Sequence, residues 1–182
     1  MKKMTEANLR SAFAGESQAH MRYLIFSNNA EKEGNQNVAR LFRAISYAEQ
    51  IHATNHYKEL GDLTGALETT AMAPYGLGSS SENLQTCIDG ETFEIEEMYP
   101  VYKTVAEFQG ERGAIRTFDW ALQTEKVHAR MFQKAKKVVD SGKDVKIDAI
   151  QICENCGYTI EGDAPDKCPI CGVSKDRFRS FE

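Results

Sequence analysis

Two copies of a short pattern place a carboxylate and an imidazole at a spacing that suits metal binding. Glu49 is followed three residues later by His52, and Glu125 is followed three residues later by His128. Residues three apart lie on the same face of a helix, so the two side chains of each pair can reach one ion. The chain therefore carries two equivalent half-sites.

Each copy is preceded by one further carboxylate at a matching distance. Glu16 precedes the first copy and Glu91 the second, 75 residues apart, and the two histidines are 76 residues apart. A duplicated helix pair that gives one Glu and one Glu-x-x-His in each half is how a four-helix bundle builds a two-metal site. We predict that Glu49 and Glu125 bridge two ions, while Glu16 and Glu91 bind one ion each. Oxygen-rich ligands with some nitrogen favour iron or manganese over structural zinc.

Glu94 breaks the symmetry of the repeat, because its counterpart in the first half is Ala19. A fifth carboxylate is unfavourable beside a reduced metal pair and favourable beside an oxidised pair. We infer that Glu94 and His52 compete for one ion, with His52 bound on reduction and Glu94 on oxidation.

Other residues near these positions could take part in the chemistry or only pack in the core. The repeat places no ligand opposite His20 or His56, so we expect both to be core histidines or neighbours of the ligands. Cys87 is expected to be a small buried packing residue. Tyr23 and Tyr99 lie about two turns beyond the helix carboxylates, and both core packing and a hydroxyl directed at the ligands remain open for them.

The helices that must position these residues follow from apolar stripes of helical period. We predict helix 1 around Leu9–Ala30, helix 2 from about Asn37 to Leu60, helix 3 from about Ser81 with a kink at Pro100, and helix 4 around Ala114–Val139. Gly61 and Gly142 are predicted to end helices 2 and 4. The connection from Gly61 to Ser80 is longer than a tight turn needs. Two helix pairs joined by one long crossover predict an all-α, ferritin-like four-helix bundle.

The last part of the chain carries two Cys-x-x-Cys pairs and has the composition of turns. Cys153, Cys156, Cys168 and Cys171 predict a tetrathiolate metal site, and Gly follows each pair. Spacing alone also permits a zinc ribbon, but a one-electron iron centre fits better beside a redox-active bundle. We place the bundle at 1–142, a linker at 143–151 and the metal-stabilised domain at 152–182.

Composition narrows the class of protein further. The 182 residues include 27 acidic and 22 basic side chains, which argues against nucleic acid as the main partner. No apolar run approaches the ~18 residues of a membrane span, and the first residues lack the apolar core of a signal peptide. We expect a cytoplasmic protein that contacts neither membrane nor nucleic acid.

Together these motifs resemble the rubrerythrin family over the whole chain. The residues that carry the resemblance are the paired Glu-x-x-His motifs, Glu16, the segment from Gly90 to Glu94 leading to Met98-Tyr99-Pro100, and the four cysteines. The resemblance implies a ferritin-like di-iron bundle followed by a rubredoxin-like Fe(Cys)4 domain. It also implies an iron shift between the positions of Glu94 and His52, and functional roles for Tyr23 and Tyr99.

The resemblance also implies an activity and partners. We expect a cytoplasmic peroxidase that reduces hydrogen peroxide to water with electrons from NAD(P)H, delivered by a reductase and often by a separate rubredoxin. A head-to-tail homodimer is expected, with electrons crossing from the tetrathiolate iron of one chain to the di-iron site of another. One alternative is a ferroxidase or iron-handling ferritin relative, which would give the cysteine tail no task. A non-enzymatic zinc-binding or metal-sensing module is a second alternative, which the repeated carboxylate site opposes.

Overall fold

The computed structural model describes residues 1–182, with helices first and a small sheet last. The helices are α1 (Lys3–Lys32), α2 (Gln36–Glu59), α3 (Ser80–Phe93), a π-helical segment (Glu94–Met98), α4 (Tyr99–Gln109) and α5 (Arg112–Val139). The strands are β1 (Ile150–Cys153), β2 (Thr159–Glu161) and β3 (Phe178–Phe181), and a single 3₁₀ turn (Lys175–Arg177) precedes β3. No helix combines the length and the apolar character needed to cross a bilayer.

The four layers of the bundle are α1, α2, the continuous run from α3 to α4, and α5. Gly61, at φ 60°, and Gly142, at φ 77°, adopt the left-handed backbone just beyond α2 and α5, as expected of helix-ending glycines. The crossover between α2 and α3 lies along α1, where Ser11 donates to the carbonyl of Thr70 and Gln18 to that of Met72. The predicted one-crossover bundle is therefore the fold of residues 3–139.

The third layer contains a π-helical segment where a kink at Pro100 was expected. Glu16 and Tyr23 are seven residues apart on α1, whereas Glu91 and Tyr99 are eight apart on the third layer. A π-turn absorbs one extra residue, so both tyrosines can face the centre despite the unequal spacing, each toward the carboxylate of the opposite half. Pro100 lies in the first turn of α4, where its missing N–H is tolerated.

After α5 the chain reverses and returns along α2. The Asp144 carboxylate accepts from the backbone N–H groups of Asn37 and Val38, at 2.8 and 3.2 Å, where α2 lacks partners of its own. Arg40 donates to the carbonyl of Ile147, and Val145 is buried in the bundle core. The segment expected to be a linker at 143–151 is therefore anchored to the bundle.

The reversal sets the cysteine domain on the bundle of its own chain. Strand β1 lies between β2 and β3, antiparallel to both, and begins at Ile150, inside the expected linker. Ile150 and Ile152 are fully buried and belong to the same apolar core as the bundle phenylalanines. In this single chain the anchored return places the tail against α2 and α5. The head-to-tail dimer, with the tail against a neighbouring chain, stays a prediction.

Candidate metal centres

Six of the seven side chains predicted to bind two ions meet inside the bundle, in two overlapping sets of four. In each set one ligand atom per residue lies within 4.8 Å of the others. One set is Glu16, Glu49, His52 and Glu125; the other is Glu49, Glu91, Glu125 and His128. Glu49 and Glu125 belong to both sets, so they occupy the positions expected of bridging carboxylates.

The distances between the shared residues follow the same pattern. Glu49 places Oε2 3.0 Å from His52 Nδ1 and Oε1 3.1 Å from His128 Nδ1. Glu125 places Oε1 2.8 Å from His52 Nδ1 and Oε2 2.7 Å from His128 Nδ1. Each carboxylate thus presents one oxygen to each imidazole, as a group bridging two ions must.

Glu94 lies outside both sets. It is half-buried and is the first residue of the π-helical segment. Burial, followed by the negative charges of Glu125 and Glu49, raises the pKa of its carboxyl group well above the usual value. The charged groups of the centre therefore act on Glu94, although Glu94 belongs to neither set. His52, and not Glu94, occupies the ligand position in the set that contains Glu16.

Both candidate tyrosines direct their hydroxyls at the carboxylates. Tyr23 donates to Glu91 Oε1 at 2.8 Å, and Tyr99 donates to Glu16 Oε1. Burial raises the pKa of both hydroxyls, and the carboxylate that each one contacts raises it further. Of the two alternatives for these tyrosines, the structure favours hydroxyls directed at the ligands.

The charge balance of the pocket calls for cations. Although burial opposes their charge, the carboxylates of Glu125 and Glu49 raise the pKa of His52 to about 10 and that of His128 to about 9. Burial and neighbouring carboxylates raise the pKa of Glu16 and Glu91. Glu16 Oε2 is buried with no hydrogen-bond partner, and Oε1 of Glu49 and of Glu125 has beside it only an imidazole Nδ1 that it shares with the other carboxylate. Unpaired buried oxygens are costly, and two divalent ions would satisfy them.

The outer nitrogens of the two histidines face the cysteine domain. His128 Nε2 lies 2.8 Å from the hydroxyl of Thr159, which itself donates to the carbonyl of Gly157. The hydroxyl has one proton, so its oxygen accepts from His128 Nε2–H and leaves Nδ1 free for a metal. His52 Nε2 has no partner and contacts Gly157, where a methyl group would collide with the ring.

The four cysteines form the predicted tetrathiolate cluster. Their sulfurs lie within 4.8 Å of one another, with 3.6 Å between Cys153 and Cys171 and also between Cys156 and Cys168. Gly157 and Gly172 close two equivalent loops, with backbone N–H groups that donate to Cys153 and Cys168 carbonyls at 2.9 Å. Both glycines have positive φ, 84° and 79°, which a side chain would strain.

The remaining predicted residues lie around the centres. His20 is half-buried and contacts Ser46 between α1 and α2, away from both sets. Cys87 is fully buried, as predicted for a packing residue. His56 is buried beside Tyr99, a neighbour of the ligands rather than a ligand. The contacts of Thr159 and Gly157 were not predicted, since only the docking of the tail creates them; the Gly after Cys156 was their one sequence signal.

Comparisons with known proteins agree with this arrangement. The family model described as rubrerythrin matches residues 7–136, and the model of the rubrerythrin rubredoxin-like domain matches residues 151–179. The chain is 46% identical to rubrerythrin-2 of Clostridium acetobutylicum, over 98% of this chain and 97% of that protein. The chain belongs to the rubrerythrin family. It is also 34% identical to nigerythrin of Nitratidesulfovibrio vulgaris, over 97% of this chain and 86% of that protein.

Solved structures place the fold in the same group. A structure of nigerythrin in its fully reduced, all-ferrous state covers 97% of this chain and 86% of its own, with a TM-score of 0.85 at 34% identity. This rubrerythrin-family chain is thus a ferritin-like bundle with a C-terminal rubredoxin-like domain, as predicted. Its metal centres are those of the family, a non-haem di-iron carboxylate centre and a mononuclear Fe(Cys)4 centre, which confirms the predicted cofactors.

Proposed function

We propose that this member of a di-iron oxidoreductase family is a peroxidase that reduces hydrogen peroxide to water. Each peroxide consumes two electrons and two protons, and NAD(P)H is the proposed electron source through a reductase or a separate rubredoxin. The observation that carries the proposal is the contact between the two centres, because a tetrathiolate domain docked on the ligand histidines suits delivery of electrons. A ferroxidase that only stored iron would have no use for that contact.

One peptide bond and one van der Waals contact join a cysteine of the tetrathiolate site to a histidine of the di-iron centre. Cys156 is joined directly to Gly157, and Gly157 contacts the His52 ring. Cys156 is buried, and His52 is only 1% exposed, so the route is shielded from water. We propose that electrons enter the bundle along this path within one chain.

The side chains around the di-iron centre have distinct tasks in this proposal. When bound, the iron pair supplies the electrons that cleave the peroxide bond. Tyr23 and Tyr99 hold protons at the oxygens of Glu91 and Glu16, ready for the leaving oxygen. On oxidation His52, whose Nε2 makes no hydrogen bond, would leave its position, and Glu94 at the edge of the centre would replace it.

The test separates the two centres. Cys168→Ser should remove the red colour of the ferric tetrathiolate and abolish NAD(P)H-driven turnover, while the chemically reduced protein should still consume peroxide in a single turnover. Cys87→Ala is the control for the colour, since Cys87 lies outside the tetrathiolate cluster and its counterpart in the first half is Ala12. If the reduced Cys168→Ser protein cannot consume peroxide, the relay assignment fails.

The same preparation decides between peroxidase and ferroxidase. Reduced protein is mixed with peroxide or with oxygen, and the rate of iron oxidation is followed. Faster oxidation by peroxide supports the proposal, whereas faster oxidation by oxygen with accumulation of ferric mineral would establish the iron-handling alternative.

A further inference from the structure

A chain of buried hydrogen bonds lies behind Glu16. The Tyr99 hydroxyl donates to Glu16 Oε1, and His56 Nε2 lies 3.0 Å from the same hydroxyl on its other side. The hydroxyl of Thr117 lies 3.1 Å from His56 Nδ1. Tyr99 and His56 are fully buried and Thr117 is 2% exposed, so bulk water has little access to these groups.

The direction of each hydrogen bond follows from the number of protons available. A metal-bound carboxylate is ionised and can only accept, so the single Tyr99 proton points to Glu16. The Tyr99 oxygen must then accept from His56 Nε2–H. A neutral imidazole has one N–H group, so Nδ1 accepts the proton of Thr117. Burial lowers the pKa of His56, which keeps the ring neutral.

The second half of the repeat lacks this chain. Tyr23 donates to Glu91, but the counterpart of His56 is Phe132. The Phe132 ring is edge-on to Tyr23 with 5.5 Å between ring centres, and it offers no N–H group. The two tyrosines therefore hold equivalent positions in the repeat but differ in what lies behind the hydroxyl.

We propose that His56 and Thr117 are positioning residues that hold the Tyr99 hydroxyl as a fixed hydrogen-bond donor to Glu16, through an imidazole that Tyr23 lacks. The proton stays on Tyr99: its O–H group donates to the Glu16 carboxylate while the His56 N–H group donates to the phenolic oxygen, so no bond is broken. The kinetic consequence rests on the proposed peroxidase function; the hydrogen-bond pattern does not.

The pattern is tested first without any turnover. The full chain is loaded with zinc, which is diamagnetic, and long-range proton–nitrogen spectra report which ring nitrogen of each of the four histidines carries a proton. His56→Gln assigns the His56 signals by their loss. A proton on Nε2 and none on Nδ1 is the expected result, and the reverse tautomer overturns the proposal. Tyr99→Phe should allow both tautomers, because the Thr117 hydroxyl can donate to Nδ1 or accept from it, while Thr117→Val should keep the proton on Nε2.

Kinetics of the iron-loaded protein provide the second test. His56→Phe copies the other half of the repeat and should slow single-turnover peroxide reduction about tenfold, the equivalent of about one hydrogen bond, with two irons still bound. Adding Tyr99→Phe should cost little more, because both changes remove the same interaction, whereas Tyr23→Phe should add its own full effect. His56→Gln, which keeps an N–H donor, should restore most of the rate.

The outcomes separate this inference from the proposed function. If peroxide is not the oxidant, every variant and the parent chain are equally inactive toward it, and the zinc spectra alone decide. Full additivity of His56→Phe with Tyr99→Phe, or an unchanged rate in the fully loaded His56→Phe chain, overturns the positioning role. If His56→Phe fails to fold, Thr117→Val and His56→Gln carry the same comparison.

Discussion

The two ligand histidines differ in the hydrogen bonding of their outer ring nitrogen, Nε2. Thr159 holds His128 at Nε2, whereas His52 has no partner there. Groups that orient a metal-binding histidine typically change metal affinity about 10–100-fold when removed. We therefore predict that Thr159→Val weakens the binding of one of two ferrous ions by about that factor. Stepwise metal titration measures it, with Thr159→Ser as the control that keeps the hydroxyl. Equal loss at both sites, or none, contradicts the assignment.

The protons held by the metal-free centre predict how metal binding depends on pH. The pKa values of about 10 for His52 and about 9 for His128 lie above 7, so both rings are protonated in the metal-free chain at neutral pH. Metal ligation needs neutral imidazoles, so these protons must leave. Metal binding should therefore strengthen as pH rises toward 9. Calorimetry in buffers of different ionisation enthalpy should count at least two protons released; zero release would refute this account.

At the level of the helices, the π-helical segment sets what Glu94 can do. Glu94 begins the segment at the edge of the centre, while Glu97 on the same segment is exposed. We predict that Glu94→Ala retains two irons but lowers peroxide turnover about tenfold or more, as other groups that tune a metal do. Glu97→Ala is the control for disturbing the segment itself. Iron content and turnover are measured on the same sample. A fully loaded Glu94→Ala chain with normal turnover would contradict the proposed exchange of ligands.

The same segment shows where reading the sequence succeeded and where it did not. The repeated Glu-x-x-His motifs, with Glu16 and Glu91, predicted which side chains meet, because helical spacing determines which residues share a face. The π-turn was missed although the extra residue between Glu91 and Tyr99 was visible in the repeat. The kink predicted at Pro100 stays a prediction; what the structure adds is the π-helical segment that ends just before this proline.

The docking of the tail could not be predicted from spacing. Its position depends on Asp144 meeting the start of α2 and on Val145 entering the core, and such contacts between distant residues leave no periodic signal. The contacts of Thr159 and Gly157 with the histidines follow from that docking. These contacts between the tail and the di-iron centre therefore could not be predicted from the sequence. The four cysteines themselves were identified from their motif.

For the whole molecule, the return of the chain along α2 predicts that electrons pass within one chain. A Cys168→Ser variant and a variant lacking Glu49 and Glu125 each retain one intact centre. After subunits are dissociated, mixed and reassociated, we expect no recovery of NAD(P)H-driven activity, because each tail lies against its own bundle. Mass spectrometry must show that any mixed dimers have formed. Recovery of activity in them would mean that tails are exchanged between chains, as the expected head-to-tail dimer would allow.

The burial of Ile150 and Ile152 in the bundle core also bears on the lifetime of the protein. The tail is small and relies on its metal, yet it covers apolar surface that belongs to the bundle. A chain that loses its tetrathiolate iron under oxidative attack should release this strand and expose the core. Exposed apolar core and a loosened chain end are what proteases attack. We therefore expect loss of the Fe(Cys)4 iron to make the chain more readily cleaved by proteases.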